Sequence, residues 1–213
     1  MSAMRAIRQV VLCAFLVVPP VVVCFGCGSG QDERASVEHL RFDVVDSLLG
    51  PAYEIKTAGK RLNLPLGFAP VPDSVLAALK TQLTSSIGPQ GGIEMVGCFL
   101  DTLHAAGMLV SVVDGYTLSS DTVGFFGRYR QSLCGAYGGD QVREGEYWVK
   151  QIYVKNFLIT DSVNVRFQLL CLSAESDAVE LIYFAPRDLY PKVIKRFESS
   201  IGSLQLINRE GVE

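Results

Sequence analysis

The stretch Val163–Leu172, VNVRFQLLCL, is apolar at almost every position. In an extended chain successive side chains point to opposite faces. A strand this apolar on both faces is covered on both sides, so it belongs at the centre of a sheet. Working outward from it, Tyr147–Lys155 alternates and predicts a strand with Trp148, Ile152 and Val154 on one face. After the turn residues Glu175, Ser176 and Asp177, Ala178–Phe184 predicts a third strand. Pro186 then opens a closing helix whose apolar stripe is Leu189, Tyr190, Val193, Ile194, Phe197 and Ile201. Strands joined by such short turns pair antiparallel.

Upstream, apolar residues at 37, 40, 44, 45, 48 and 49 recur with a helical period, predicting a helix over 36–49 ended by Gly50-Pro51. Ala52–Thr57 and Arg61–Leu66 predict short strands about a turn at Ala58-Gly59-Lys60. Asp73 or Ser74 can cap a helix carrying Val75, Leu76, Leu79 and Leu83, which ends near Gly88-Pro89. Ile93–Leu100 and Met108–Val113 read as strands. Ser119, Ser120 or Asp121 caps a helix through Ser132 that buries Val123, Phe126, Tyr129, the stem of Arg130 and Leu133, broken by Gly135–Asp140. The pattern is α+β: an antiparallel sheet covered by helices, in a single domain over 36–208, with 209–213 as a tail.

The N-terminus is of another kind. Arg5 and Arg8 precede an uncharged stretch from Gln9 to Gln31, apolar from Val10 to Phe25 and interrupted by Pro19-Pro20. A transmembrane helix needs roughly 20 apolar residues, and proline breaks a helix interior. A charged start, an apolar centre and small residues after it describe a cleaved signal peptide. The segment Cys24-Phe25-Gly26-Cys27 resembles the lipobox of bacterial lipoproteins, although the positions three and two before Cys27 are atypical. That resemblance implies a signal peptide over 1–26, cleavage after Gly26, lipid on Cys27, and a tether over 27–35. The protein would then sit on the extracytoplasmic face of a bacterial membrane. An ordinary secretory leader and an uncleaved anchor are the alternatives.

The segments EYWVKQIYV, VRFQLLCLS and VELIYFAPRDLYPKVIKRFESSIGSLQL together resemble the end of a PsbP-like domain. Phe184-Ala185-Pro186, Tyr190 and Ser200–Leu204 stand at its marked positions, and Leu62–Phe68 at its early strand. The resemblance implies an α/β/α sandwich that acts by binding partners in protein assemblies.

The chain has 213 residues, 49% of them hydrophobic and 19% charged. Its net charge of −3 becomes −5 without the two leader arginines. That balance excludes an electrostatic footprint for nucleic acid. Beyond Cys27 the cysteines are Cys98, Cys134 and Cys171, an odd set that allows one disulfide or three thiols. His39 and His104 have no metal-ligand spacing, and there is no GxSxG elbow, SxxK or phosphate-binding loop. No cofactor, metal or catalytic residue is therefore assigned. Asp140, Glu144 and Glu146, like Glu175 and Asp177, read as solvated turn acids, and Lys192, Lys195 and Arg196 as a solvated helix face. Tyr147, Trp148 and Tyr153 form a possible sugar or peptide platform. The expectation is a lipid-anchored, non-catalytic protein-interaction or assembly module. The alternatives are a small-ligand carrier with a pocket between sheet and helix, and a hydrolase.

Overall fold

The structure is a computed structural model and describes residues 42–84, 92–174 and 176–207. The predicted leader, the tether with Cys27, His39 and the 209–213 tail lie outside them. Its strands are β1 (Leu49–Ile55), β2 (Lys60–Pro65), β3 (Ala69–Pro70), β4 (Ile93–Asp101), β5 (Ala106–Val113), β6 (Val142–Val149), β7 (Ile152–Thr160), β8 (Asn164–Leu172), β9 (Ala178–Pro186) and β10 (Gln205–Leu206). The helices are α1 (Asp73–Thr84), α2 (Thr122–Tyr137) and α3 (Tyr190–Gly202).

Seven strands form one sheet in the order β3-β4-β5-β9-β8-β7-β6, and every pairing in it is antiparallel. The apolar runs that became β8 and β9 lie at its centre, as two-sided burial requires. Val179, Leu181, Tyr183 and Ala185 of β9 pack on one side with Val193, Phe197 and Ile201 of α3. The opposite face is shared by two helices. Phe125 and Leu133 of α2 pack with Leu170, Leu172 and Ala178, while Val75, Leu76 and Leu79 of α1 pack on Met95, Cys98 and Leu100. Gly107 lets the Phe184 ring cross β5, since a Cβ there would stand 2.1 Å from that ring. The fold is mixed α+β, with antiparallel sheets and helices on both faces of the larger one.

Four expectations are corrected. No helix occupies 42–49: residues 42–45 form no regular element, Asp46–Leu48 is a 3₁₀ turn, and β1 runs through Gly50-Pro51. Proline is tolerated there because β1 is an edge strand and its register shifts between Leu49 and Ala52. With β2 and β10 it builds a second, three-stranded sheet that shares a face of the larger sheet with α3. Next, Tyr147–Lys155 is two strands, not one, turning at Lys150-Gln151 with Lys150 at φ 54. The turn reverses the face assignment, so Tyr147, Val149, Ile152 and Val154 are buried together and Trp148 faces outward. On α2, Val123 is 83% exposed and Phe125 takes the buried position. Finally, Pro186 ends β9, and α3 begins four residues later at Tyr190, with Pro191 in its first turn.

Candidate functional site

Because the β6–β7 hairpin points Tyr147, Val149, Ile152 and Val154 inward, alternation sends Glu146, Trp148, Tyr153 and Lys155 to the opposite face. Asp121 caps α2 by accepting the Gly124 amide at 3.0 Å, so the helix starts beside the tip of this hairpin. Its first turns and the preceding loop bring Leu118, Thr122, Val123 and Phe126 against those four strand residues. Together the eight line an open depression of about 420 Å³.

Its lining is mostly apolar, from Leu118, Val123, Phe126, Trp148 and Tyr153, with Thr122, Glu146 and Lys155 adding polar groups. Trp148 is 58% exposed and meets Tyr153 edge to face, ring centroids 5.5 Å apart. Phe126 lies 6.0 Å from Tyr153 on its other side. The Tyr153 hydroxyl donates to Glu146 Oε2 at 2.7 Å. Burial, then the hydrogen bond to Glu146 and its charge, push that phenol well above its ordinary value. Lys155 Nζ lies 3.6 Å from Glu146 and 3.2 Å from Glu144, and Glu144 also meets Arg130. These acids lie on a strand and are ion-paired, contrary to the solvated turn expected of them. Two carboxylates and two cations cancel. Among the described residues Glu146 Oε1 has no hydrogen-bond partner.

A second polar cluster lies at the β4–β5 turn. Asp101, 4% exposed, accepts the Leu103 amide at 3.0 Å, Arg196 Nη1 at 2.9 Å and His104 Nδ1 at 2.8 Å. A carboxylate only accepts, so the imidazole proton facing it sits on Nδ1, and Arg196 Nη2, 3.2 Å from the same nitrogen and itself only a donor, makes no bond to it. Burial works against the Asp101 charge, but the bonds from His104, Arg196 and Leu103 outweigh it and hold the carboxyl below its ordinary value. Arg196 also donates to the Leu66 carbonyl at 2.8 Å, so this arginine is a staple between α3 and two turns and not part of a solvated face. No described serine, threonine or cysteine hydrogen-bonds His104, so the pair lacks the nucleophile that acyl transfer needs.

The third cluster was invisible in the sequence. Lys60 is fully buried, and its Nζ donates to Asp177 O at 2.6 Å, Ser176 Oγ at 2.7 Å and Ala58 O at 3.4 Å. Burial lowers its pKa to about 8, against smaller opposing effects of Cys171 and Asp177. All three donors are used, which ties β2 to the β8–β9 loop. Cys98 and Cys171 are buried and Cys134 half-buried, and all three are free thiols. Burial pushes Cys98 and Cys171 up to about 12, the reverse of a reactive cysteine. Among the described residues no group of three His, Cys, Asp or Glu side chains gathers to hold a metal, and no helix is long and apolar enough to cross a membrane.

No protein-family model and no curated protein matches the chain. Among solved structures, a protein of Bacteroides thetaiotaomicron VPI-5482 is similar with a TM-score of 0.41 and 12% identity. The match covers 78% of this chain and 51% of that one, so the chain spans about half the length of that protein. A likeness this distant carries no argument about function.

Proposed function

We propose that this is a membrane-tethered, non-catalytic interaction or assembly module of the bacterial cell envelope. Cys27 carries the lipid, and the depression between α2 and the β6–β7 hairpin is the contact surface. The carrying observation is Trp148, which leaves more than half its surface open in a depression it lines together with Phe126 and Tyr153. Large exposed aromatics gathered at one place mark binding surfaces on soluble domains. Helices on both faces of an antiparallel sheet support the PsbP-like sandwich that the C-terminal segments suggest. The hydrolase alternative loses weight because His104 is spent on Asp101 without a nucleophile at hand. An enclosed carrier pocket is disfavoured too, since the depression opens at the surface between helix and hairpin.

Two measurements test the reading. The intact mass of protein extracted from its native membrane should match a chain starting at Cys27 plus acyl groups. An unmodified full-length chain overturns the anchor. A photoreactive residue in place of Trp148 should form discrete adducts in intact envelopes that the same residue at Leu103, exposed on the β4–β5 turn, does not. Equal labelling from both positions, or none from either, overturns the contact surface.

A further inference from the structure

We infer that the depression recognises a neutral sugar ring, so that the envelope partner is bound through a glycan. This rests on the reading above and adds the chemistry of what is bound.

The charges argue first. Glu144, Glu146, Lys155 and Arg130 form one connected set with no net charge. A strongly charged ligand gains little field from such a floor. A bare hydrocarbon chain fares worse, because it would cover a carboxylate and an ammonium without giving either a hydrogen bond. What fits is a ligand that is neutral, apolar on one face and rich in hydroxyls at its edge.

The geometry supplies both halves. The negative π face of an exposed indole attracts the weakly positive C–H groups of a flat pyranose face. Trp148 offers such a face, and its edge-to-face contact with Tyr153 fixes the tilt of the ring pair. Glu146 offers Oε1 as an unoccupied acceptor for a sugar hydroxyl. Its other oxygen is held by Tyr153, so the carboxylate is oriented before any ligand arrives. Thr122 at the start of α2 adds a hydroxyl that can donate or accept. A volume of about 420 Å³ lies within the range of small-ligand sites, of the order of 300–1,000 Å³.

The chain itself carries the reporter, because Trp148 is its single tryptophan. The purified lipid-free chain is titrated with chitotetraose, cellotetraose and maltotetraose while Trp emission and acrylamide quenching are followed. At least one should saturate with a Kd of about 1 mM or tighter, shift the emission to the blue and protect the indole from quencher. Glu146→Ala should weaken that binding about tenfold or more, since the lost bond is to a charged group. Tyr153→Phe, which frees the carboxylate but keeps the ring, should cost about three- to tenfold. Lys195→Ala, on exposed α3 surface, should leave it unchanged. Failure of all three sugars to shift the emission overturns the inference, and so does binding indifferent to Glu146→Ala. Shifts given only by peptides overturn it as well. Specific cross-linking from position 148 would survive each of those results, so the loss of the sugar and the loss of the contact surface are told apart.

Discussion

The buried Lys60 gives the structure's most quantitative test. A group whose folded pKa lies below its unfolded one binds its proton more weakly in the native state, so stability rises with pH between the two values. For Lys60 those are about 8 folded and 10.5 unfolded. Below pH 8 both states hold the proton and the slope vanishes. Above it the slope approaches about 1.4 kcal/mol per pH unit. Between pH 7 and 9 the contribution integrates to about 1 kcal/mol of added stability. Cys98 and Cys171, both raised from 9.0 to about 12, act in the other direction. Their unfolded thiols ionise near pH 9 while the native ones stay protonated, so from about that pH upward they offset the gain from the lysine. Stability should therefore peak at pH 8.5–9 and then fall. Urea unfolding of the wild type and of Lys60→Met, extrapolated to water at pH 7, 8 and 9, isolates the lysine, since the thiols are common to both. The wild type should gain about 1 kcal/mol on the variant over that interval. The absolute stability of Lys60→Met does not enter, although it strands the acceptors on Ala58, Ser176 and Asp177. Parallel pH curves would refute the reasoning, because they would mean the ammonium is not desolvated.

Two further predictions concern the corrected helix and the buried carboxylate. Phe125, stacked on Tyr116 at 4.1 Å, should cost about 3–5 kcal/mol when changed to Ala, whereas Val123→Ser should stay within about 0.5 kcal/mol, both read by chemical denaturation. If Val123 proves the costlier of the two, the face assigned to α2 is wrong. Asp101→Asn leaves Arg196 without its ion-pair partner beneath the surface and should cost about 3 kcal/mol. Because the Asp101 carboxyl is held below its ordinary value, its contribution is present above the unfolded carboxylate pKa and is lost as pH falls through the folded one. The acid limb of the wild-type stability curve should accordingly be steeper than that of the variant.

What was legible in the sequence, and what was not, follows from the range of the interactions involved. β8 and β9 announce themselves because burial on both faces writes itself into consecutive residues, and α1 because Asp73 lies at its start beside an apolar stripe. The β6–β7 hairpin does not, since its turn is Lys150-Gln151 instead of the Asn-Gly or Asp-Gly that the left-handed conformation favours. That one unmarked turn scrambled the aromatic platform: of Tyr147, Trp148 and Tyr153, the last two line the depression and Tyr147 is buried. Read as a single strand, Tyr147–Lys155 puts Trp148 in register with Ile152 and Val154, in the core. Folded back, Trp148 pairs with Tyr153 on the outer face. Over 42–48 the helical period has no helix to report: Val44, Val45 and Leu48 lie in an irregular lead-in and a 3₁₀ turn before the edge strand β1, so their spacing is incidental.

The polar clusters escaped because their members are distant along the chain. Arg196 is 95 residues from Asp101, and Lys60 is 116 from Ser176, so neither pairing leaves a local pattern. Lysine and arginine are almost never fully buried unless paired, which makes a solvated reading the rational one for each of them in isolation. Yet the two clusters do different work from the depression. Lys60 uses all three of its donors and the Asp101 carboxylate accepts on both oxygens, and each cluster joins elements remote in sequence, which is what a staple requires. The depression keeps Glu146 Oε1 unpaired and Trp148 uncovered at the mouth of one surface feature. Solvated acceptors and single exposed apolar side chains such as Leu103 and Val163 occur elsewhere on the surface, so what marks this site is that an open carboxylate oxygen and the open indole line the same depression.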